Sequence, residues 1–209
     1  ARKGKMRMLT AKFPDLRNRN DVHLLRKAWH FFGVLVLISI YGFLQRDQAL
    51  RWLTLITFVF VSLDLLRQSF SGLNRVLITL LGPFMREQER HKLAGTTYLL
   101  LAVLMLAYFF PPRVALLSLF FLSFADPFAS FVGIKYGKDF LFPNKSLQGT
   151  FAAFVVCWAL SIIYYVTQEL MLDRLIIVSL LSGLIGAISE LIPIAKLDDN
   201  LTFPLLSAT

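Results

Sequence analysis

The chain has 209 residues and is 56% hydrophobic, with a mean hydropathy of +0.64; this excludes an ordinary soluble domain and fits a polytopic membrane protein. Its net charge of +9 lies in the segments between apolar runs, which matches anionic lipid headgroups and membrane topology and gives no reason to expect nucleic acid. The single cysteine, Cys157, excludes an internal disulfide and reads as buried filler.

Residues 1–27 form a basic N-terminal segment, cytoplasmic or interfacial, and residues 28–209 read as a single transmembrane domain. No cleavable signal peptide is expected, because the basic stretch is long and the first apolar run is long enough to span. Apolar runs follow at 29–44, 50–66, 96–110, 114–134, 150–166 and 175–194, six candidates against the roughly 20 residues that a span requires. Residues 201–206 begin a seventh helix or form a short re-entrant or surface piece. Residues 69–93 alternate apolar and basic side chains, so they predict a helix lying in the interface, bent at Gly82-Pro83; 12–27 can behave similarly. The fold class is therefore all-α: six or seven transmembrane helices plus interfacial amphipathic helices. Lysines and arginines crowd the N-terminal segment, the second-to-third connection and the fourth-to-fifth connection, leaving only Arg46, Arg51, Arg113 and Arg174 on the other side. That bias predicts a cytoplasmic N-terminus. It puts Glu89, Lys145 and Asp199 on the same side.

The charges that interrupt apolar runs carry the chemistry. Asp126, followed by Pro127, marks a helix break or a helix interior facing a polar cavity; it reads as a Mg²⁺ ligand or as the partner of a basic residue. Lys145, Ser146, Gly149 and Thr150 open the next apolar run. Ser146 is placed to cap a helix whose N-terminus, with Lys145, suits phosphate; a plain capped helix beside a basic loop fits the same spacing. The full phosphate-binding loop of soluble nucleotide folds is absent. Glu190 interrupts the sixth run, and Asp198, Asp199 and Asn200 follow at its end. Arg26, Lys27 and His30 stand where the first run begins, with Arg26 and His30 on one helical face; they grip phosphate or snorkel to headgroups. Arg86, Glu89, Arg90 and Lys92 precede Gly95, with Glu89 acting on substrate or metal or pairing with its basic neighbours. Asp64 and Arg67 read as a structural ion pair.

Taken together, D-P-F-A-S-F-V-G-I-K-Y-G-K, then N-K-S-L-Q-G-T, then a glutamate within a span followed by D-N-x-x-x-P, resemble the dolichol kinase, phytol kinase and CTP-dependent diacylglycerol kinase group, itself related to the phosphatidate cytidylyltransferases. The Arg26-Lys27-x-x-His30 and Glu89-to-Gly95 regions add to the resemblance, which covers roughly residues 26–204. It implies a CTP- and Mg²⁺-dependent kinase of a membrane lipid alcohol: polyprenol, phytol or diacylglycerol. Carried over by position, Asp126 and Ala129 belong to the metal and nucleotide site, Gly133 and Gly137 shape the loop, and Lys145, Ser146 and Gly149 hold phosphates. Glu190, Asp199 and Asn200 complete the polar centre. Metal ligands are then Asp126, Glu190 and Asp199; Arg26, Lys27 and His30 join the phosphate-binding set, and Glu89 the catalytic one. One departure is Gln148, where relatives commonly carry Glu. Cytidylyl transfer to phosphatidate is the alternative enzymatic reading, and a small ion-coupled transporter the alternative from another class. A homodimer stays open.

Overall fold

The computed structural model describes residues 24–143, 145–194 and 197–209, so the expected interfacial piece at 12–27 lies largely outside the described residues. The elements in order are α1 (Leu24–Phe43), α2 (Arg46–Ser69), α3 (Ser71–Leu81), α4 (Gly95–Phe109), α5 (Pro112–Tyr136), a short hairpin of β1 (Phe140–Phe142) and β2 (Lys145–Ser146), α6 (Leu147–Thr167), α7 (Leu175–Leu191) and α8 (Asp199–Ser207). Four stretches are long and apolar enough to cross a membrane: Arg46–Ser69, Pro112–Tyr136, Leu147–Thr167 and Leu172–Leu191. The chain is an integral membrane protein. Its outer surface agrees, since Phe32, Phe43, Phe58, Phe151 and Ile177 are all exposed, a pattern that only a lipid surround tolerates on this scale.

Several boundaries follow from local chemistry. Pro112 opens α5, where a missing N–H costs nothing. Pro127 lies inside α5 and does not end it, so Asp126 sits within a continuous helix, the second of the two placements its sequence context allows. The segment 69–93 holds α3 and two 3-10 turns, Gly82–Phe84 and Glu87–Arg90; the bend falls at Gly82-Pro83 as its sequence predicts. The small hairpin is a local exception to an otherwise helical architecture. Residues 201–206 lie within α8, which is only 9 residues long and packs against α4, α5 and α7.

The core gathers Val34, Leu53, Leu106, Leu119, Phe121 and Phe203 from α1, α2, α4, α5 and α8. Beside it, α6 and α7 approach closely because α7 offers glycines: a Cβ at Gly183 would lie 2.8 Å from Trp158 Cβ, and one at Gly186 would lie 2.6 Å from Cys157 Sγ. Small residues at such seams are the usual device for helix association in lipid. Cys157 is fully buried there.

Asp64 and Arg67 prove to be a clamp. Arg67 Nε donates to Asp64 Oδ1 at 2.5 Å, Arg67 Nη2 donates to the Lys92 carbonyl at 2.6 Å, and Arg67 Nη1 donates to Asn74 Oδ1 at 3.1 Å. Asp64 Oδ2 accepts from Ala94 N–H at 2.7 Å and from the Thr97 hydroxyl at 2.6 Å. A carboxylate from α2 therefore caps the N-terminus of α4, where unpaired N–H groups and the helix dipole favour it. The Asn74 amide donates to the Arg90 carbonyl at 3.1 Å, so the same clamp fixes the turn that carries Glu89.

Candidate active site

A cavity of about 440 Å³ opens between α5, the hairpin, α6, α7 and α8. Asp126, Ala129, Ser130, Gly133 and Ile134 reach it from α5, Gly137 from the loop that follows, Phe140 from β1, and Lys145 and Ser146 from β2. Gly149 and Thr150 line it from α6, Glu190 from α7, Asp199 from α8 and Arg86 from the turn before Glu89.

Ser146 organises its floor. Its side chain accepts the Gly149 N–H at 3.2 Å and caps α6, and its carbonyl accepts the Thr150 hydroxyl at 3.1 Å. The glycines are demanded by proximity. A Cβ at Gly149 would lie 2.9 Å from the Ala129 carbonyl oxygen, and one at Gly137 would lie 2.3 Å from the Gly133 carbonyl oxygen and 2.8 Å from Ser146 Oγ. The end of α5 and the start of α6 thus meet backbone to backbone, which turns the α6 N-terminus, with its partial positive charge, toward the cavity.

Lys145 is the centre of the charge arrangement. Its Nζ lies 2.5 Å from Glu190 Oε1 and 3.3 Å from Asp199 Oδ2. Burial alone would pull the ammonium down, but Glu190, Asp199 and Asp126 together outweigh it and hold Lys145 above its usual range. Arg86 pairs with Asp198 at 3.6 Å, while its buried Nε donates no hydrogen bond among the described residues.

The carboxylates expected to hold Mg²⁺, Asp126, Glu190 and Asp199, line the cavity. Glu190 and Asp199 are paired with Lys145, and among the described residues no group of three or more His, Cys, Asp or Glu side chains is placed to hold a metal ion.

Not every expected site residue meets here. Asp126, Ala129, Gly133, Gly137, Lys145, Ser146, Gly149, Glu190 and Asp199 do; Arg26, Lys27, His30, Glu89 and Asn200 do not line the cavity. Arg26, Glu89 and Asn200 form a second buried cluster over Gly95, where a Cβ would lie 2.8 Å from Asn200 Nδ2, 2.9 Å from Arg26 Nη2 and 3.3 Å from Glu89 Oε1. Arg26 Nη2 lies 3.4 Å from Glu89 Oε1, and Asn200 Nδ2 donates to Asp198 Oδ1 at 2.6 Å. Lys27 Nζ donates to the Pro127 carbonyl at 3.5 Å, and His30 lines an apolar pocket with Trp29 and Phe60. Arg26 pairs with Glu89, which lines the same pocket as His30, so both lie away from the phosphate cavity. Arg86, by contrast, is a wall of the cavity that its crowded charge run did not distinguish from Arg90, which pairs with Glu87 at 3.3 Å.

Gln148 points elsewhere. Its Oε1 accepts from Lys138 N–H at 3.1 Å and its Nε2 donates to Asp139 Oδ2 at 2.9 Å, so it braces the hairpin and does not line the cavity. The departure from Glu at this position leaves the carboxylates of the cavity unchanged.

Fold and site define a membrane protein with a charged cavity at the capped start of α6. The comparisons with known proteins name the family. The chain is 32% identical over 223 residues to "CTP-dependent diacylglycerol kinase 1" of Saccharomyces cerevisiae, an alignment covering 94% of this chain and 74% of that protein. It is 33% identical over 155 residues to the Schizosaccharomyces pombe protein of the same name, covering 69% and 71%, and 34% identical over 221 residues to that of Eremothecium gossypii, covering 94% and 68%. The chain belongs to the CTP-dependent diacylglycerol kinase family and is a lipid kinase. No family model matches it, and no solved structure does.

Proposed function

We propose that this protein transfers the γ-phosphate of CTP to the hydroxyl of a membrane lipid alcohol, with diacylglycerol the first candidate because the relatives carry that name. The observation that carries the reading is Lys145, held between Glu190 and Asp199 at the capped start of α6, on a cavity that also contains Asp126 and Arg86. Phosphoryl transfer needs little covalent help from protein; it needs positioning and charge neutralisation. In this reading Lys145 exchanges part of its contact with Glu190 for phosphate oxygens, and Arg86 and the α6 N-terminus meet the remaining charge. Mg²⁺ would be held by Asp126 with Glu190 or Asp199 and would offset charge on the phosphates. Anionic headgroups would surround the basic connections.

The membrane arrangement belongs to the same proposal. Residues 28–209 act as one unit, α1 and α4 join the four long apolar stretches as six spans, and the N-terminus lies in the cytoplasm together with the cavity, where CTP is present.

The test is product analysis: purified protein, Mg²⁺, CTP labelled on its γ-phosphate, and diacylglycerol, polyprenol, phytol or phosphatidate. Label recovered in a lipid phosphate, with CDP released, is the expected result and names the acceptor. Label released as pyrophosphate only with phosphatidate would establish cytidylyl transfer instead.

A further inference from the structure

The cavity around Lys145 is walled mostly by charged groups, small side chains and glycines, and two large apolar side chains stand among them, Ile134 and Phe140. Phe140 is the one aromatic group in that lining among the described residues, and it is 64% exposed. Its neighbours in β1, Leu141 and Phe142, are exposed as well but do not line the cavity. A lipid surround accounts for those two; it does not account for an aromatic ring on the wall of a charged cavity. The backbone that carries this ring is fixed. Phe140 pairs with Ser146, the residue that caps α6. Just before it, the Asp139 carbonyl accepts the Leu147 N–H at 2.8 Å, and the Gln148 side chain braces Lys138 and Asp139. An exposed ring is thus held at a set place beside the helix N-terminus.

We propose that Phe140 is the platform on which the base of the donor nucleotide stacks. The proposal rests on the lipid-kinase reading above and adds where the base lies. A nucleoside triphosphate has two chemically unlike ends, an anionic chain of phosphates and a flat, uncharged ring. Lys145 and the capped start of α6 suit the first. The second gains from an aromatic face, because stacking takes the apolar surfaces of both rings out of water. Phe140 and Ser146 are ladder partners, and paired strands stand about 5 Å apart, less than the length of a nucleotide. One nucleotide can therefore touch the helix cap with its phosphates and the ring with its base. Stacking reads the face of a base and not its edge, so Phe140 sets how tightly a nucleotide is held and not which base is chosen.

The test measures binding to the full chain, purified in detergent with Mg²⁺, by titration calorimetry. The probes are CTP and inorganic tripolyphosphate, which carries the charge without the base. Phe140→Ala should weaken CTP about tenfold or more, the scale of one lost base–aromatic stack, and leave tripolyphosphate unchanged. Phe140→Tyr should bind CTP as the wild type does. Leu141→Ala, which trims an exposed side chain of the same strand outside the cavity, should change neither affinity. In Phe140→Trp the added fluorescence should be quenched by CTP and not by tripolyphosphate, a readout that needs no loss of binding. Equal losses for both probes in Phe140→Ala would mean that the side chain only supports the hairpin carrying Lys145, and would overturn the assignment. So would CTP affinity that is unchanged in Phe140→Ala, or lowered as much in Leu141→Ala. No CTP binding by the wild-type chain would instead sink the kinase reading itself.

Discussion

Lys145 is the residue on which the site turns. It neutralises Glu190 and Asp199 at once, so removing it takes away a phosphate contact and also leaves two close carboxylates unopposed. Lys145→Ala should lower kcat/KM for CTP about 100-fold or more, the usual loss for one removed charge-stabilising donor, as measured by initial rates at varied CTP. Asp126→Asn keeps the volume and removes the charge; turnover should vanish while the protein still extracts and elutes as wild type does. Gln148→Glu replaces the Nε2 donor to Asp139 with a second carboxylate, so it should loosen the hairpin brace and lower thermal stability in detergent, by up to about 1 kcal/mol for one lost partly exposed hydrogen bond; the cavity carboxylates are untouched. Gly149→Ala should be costly, because its Cβ would press within 2.9 Å of the Ala129 carbonyl oxygen; about 1–3 kcal/mol of stability should be lost, read from thermal unfolding in detergent. Most of this set is visible in the sequence because a charge or a Ser-x-x-Gly pattern inside an apolar run has few bland explanations. The pairing of Lys145 with Glu190 is different: 45 positions separate them, and only the packing of α6 against α7 brings them together.

At the scale of elements, the turn at 82–94 depends on α2. Asp64 caps α4 and holds Arg67, which in turn holds Asn74 and Lys92. Asp64→Ala would strand a buried guanidinium and uncap α4. A loss of about 3–5 kcal/mol follows from breaking a buried pair, together with reduced activity through displacement of Arg86; unfolding and initial rates measured on the same preparation check both. Asp64 and Arg67 announce themselves as an ion pair by their spacing of three. What spacing does not reveal is that the pair also serves a helix starting at Gly95, 31 residues after Asp64. The four stretches long and apolar enough to cross a membrane are legible for the opposite reason, since the length of an apolar run is a local property; the expected runs at 29–44 and 96–110 form α1 and α4, which are not among those four. The hairpin between α5 and α6 is too short for any alternation to show, and Arg86 is indistinguishable in the sequence from its basic neighbours.

For the whole molecule, topology is the property to test. The basic loops predict that Lys138 and the N-terminus share one side of the membrane and Arg174 the other. Single cysteines introduced at Lys138 and at Arg174 should therefore react with an impermeant maleimide from opposite faces of sealed vesicles; labelling of both from the same face would refute the proposed orientation. The seam between α6 and α7 makes this experiment simple. Cys157, the chain's sole cysteine, is sealed against Gly186, and a thiol buried in apolar surroundings is inert. It needs no replacement before labelling. It is also a built-in fluorescence gauge: a dye that lights on reacting with a thiol stays dark while α6 and α7 are joined and brightens when they part, so thermal stability can be followed in native lipid without a tag or an assay of turnover.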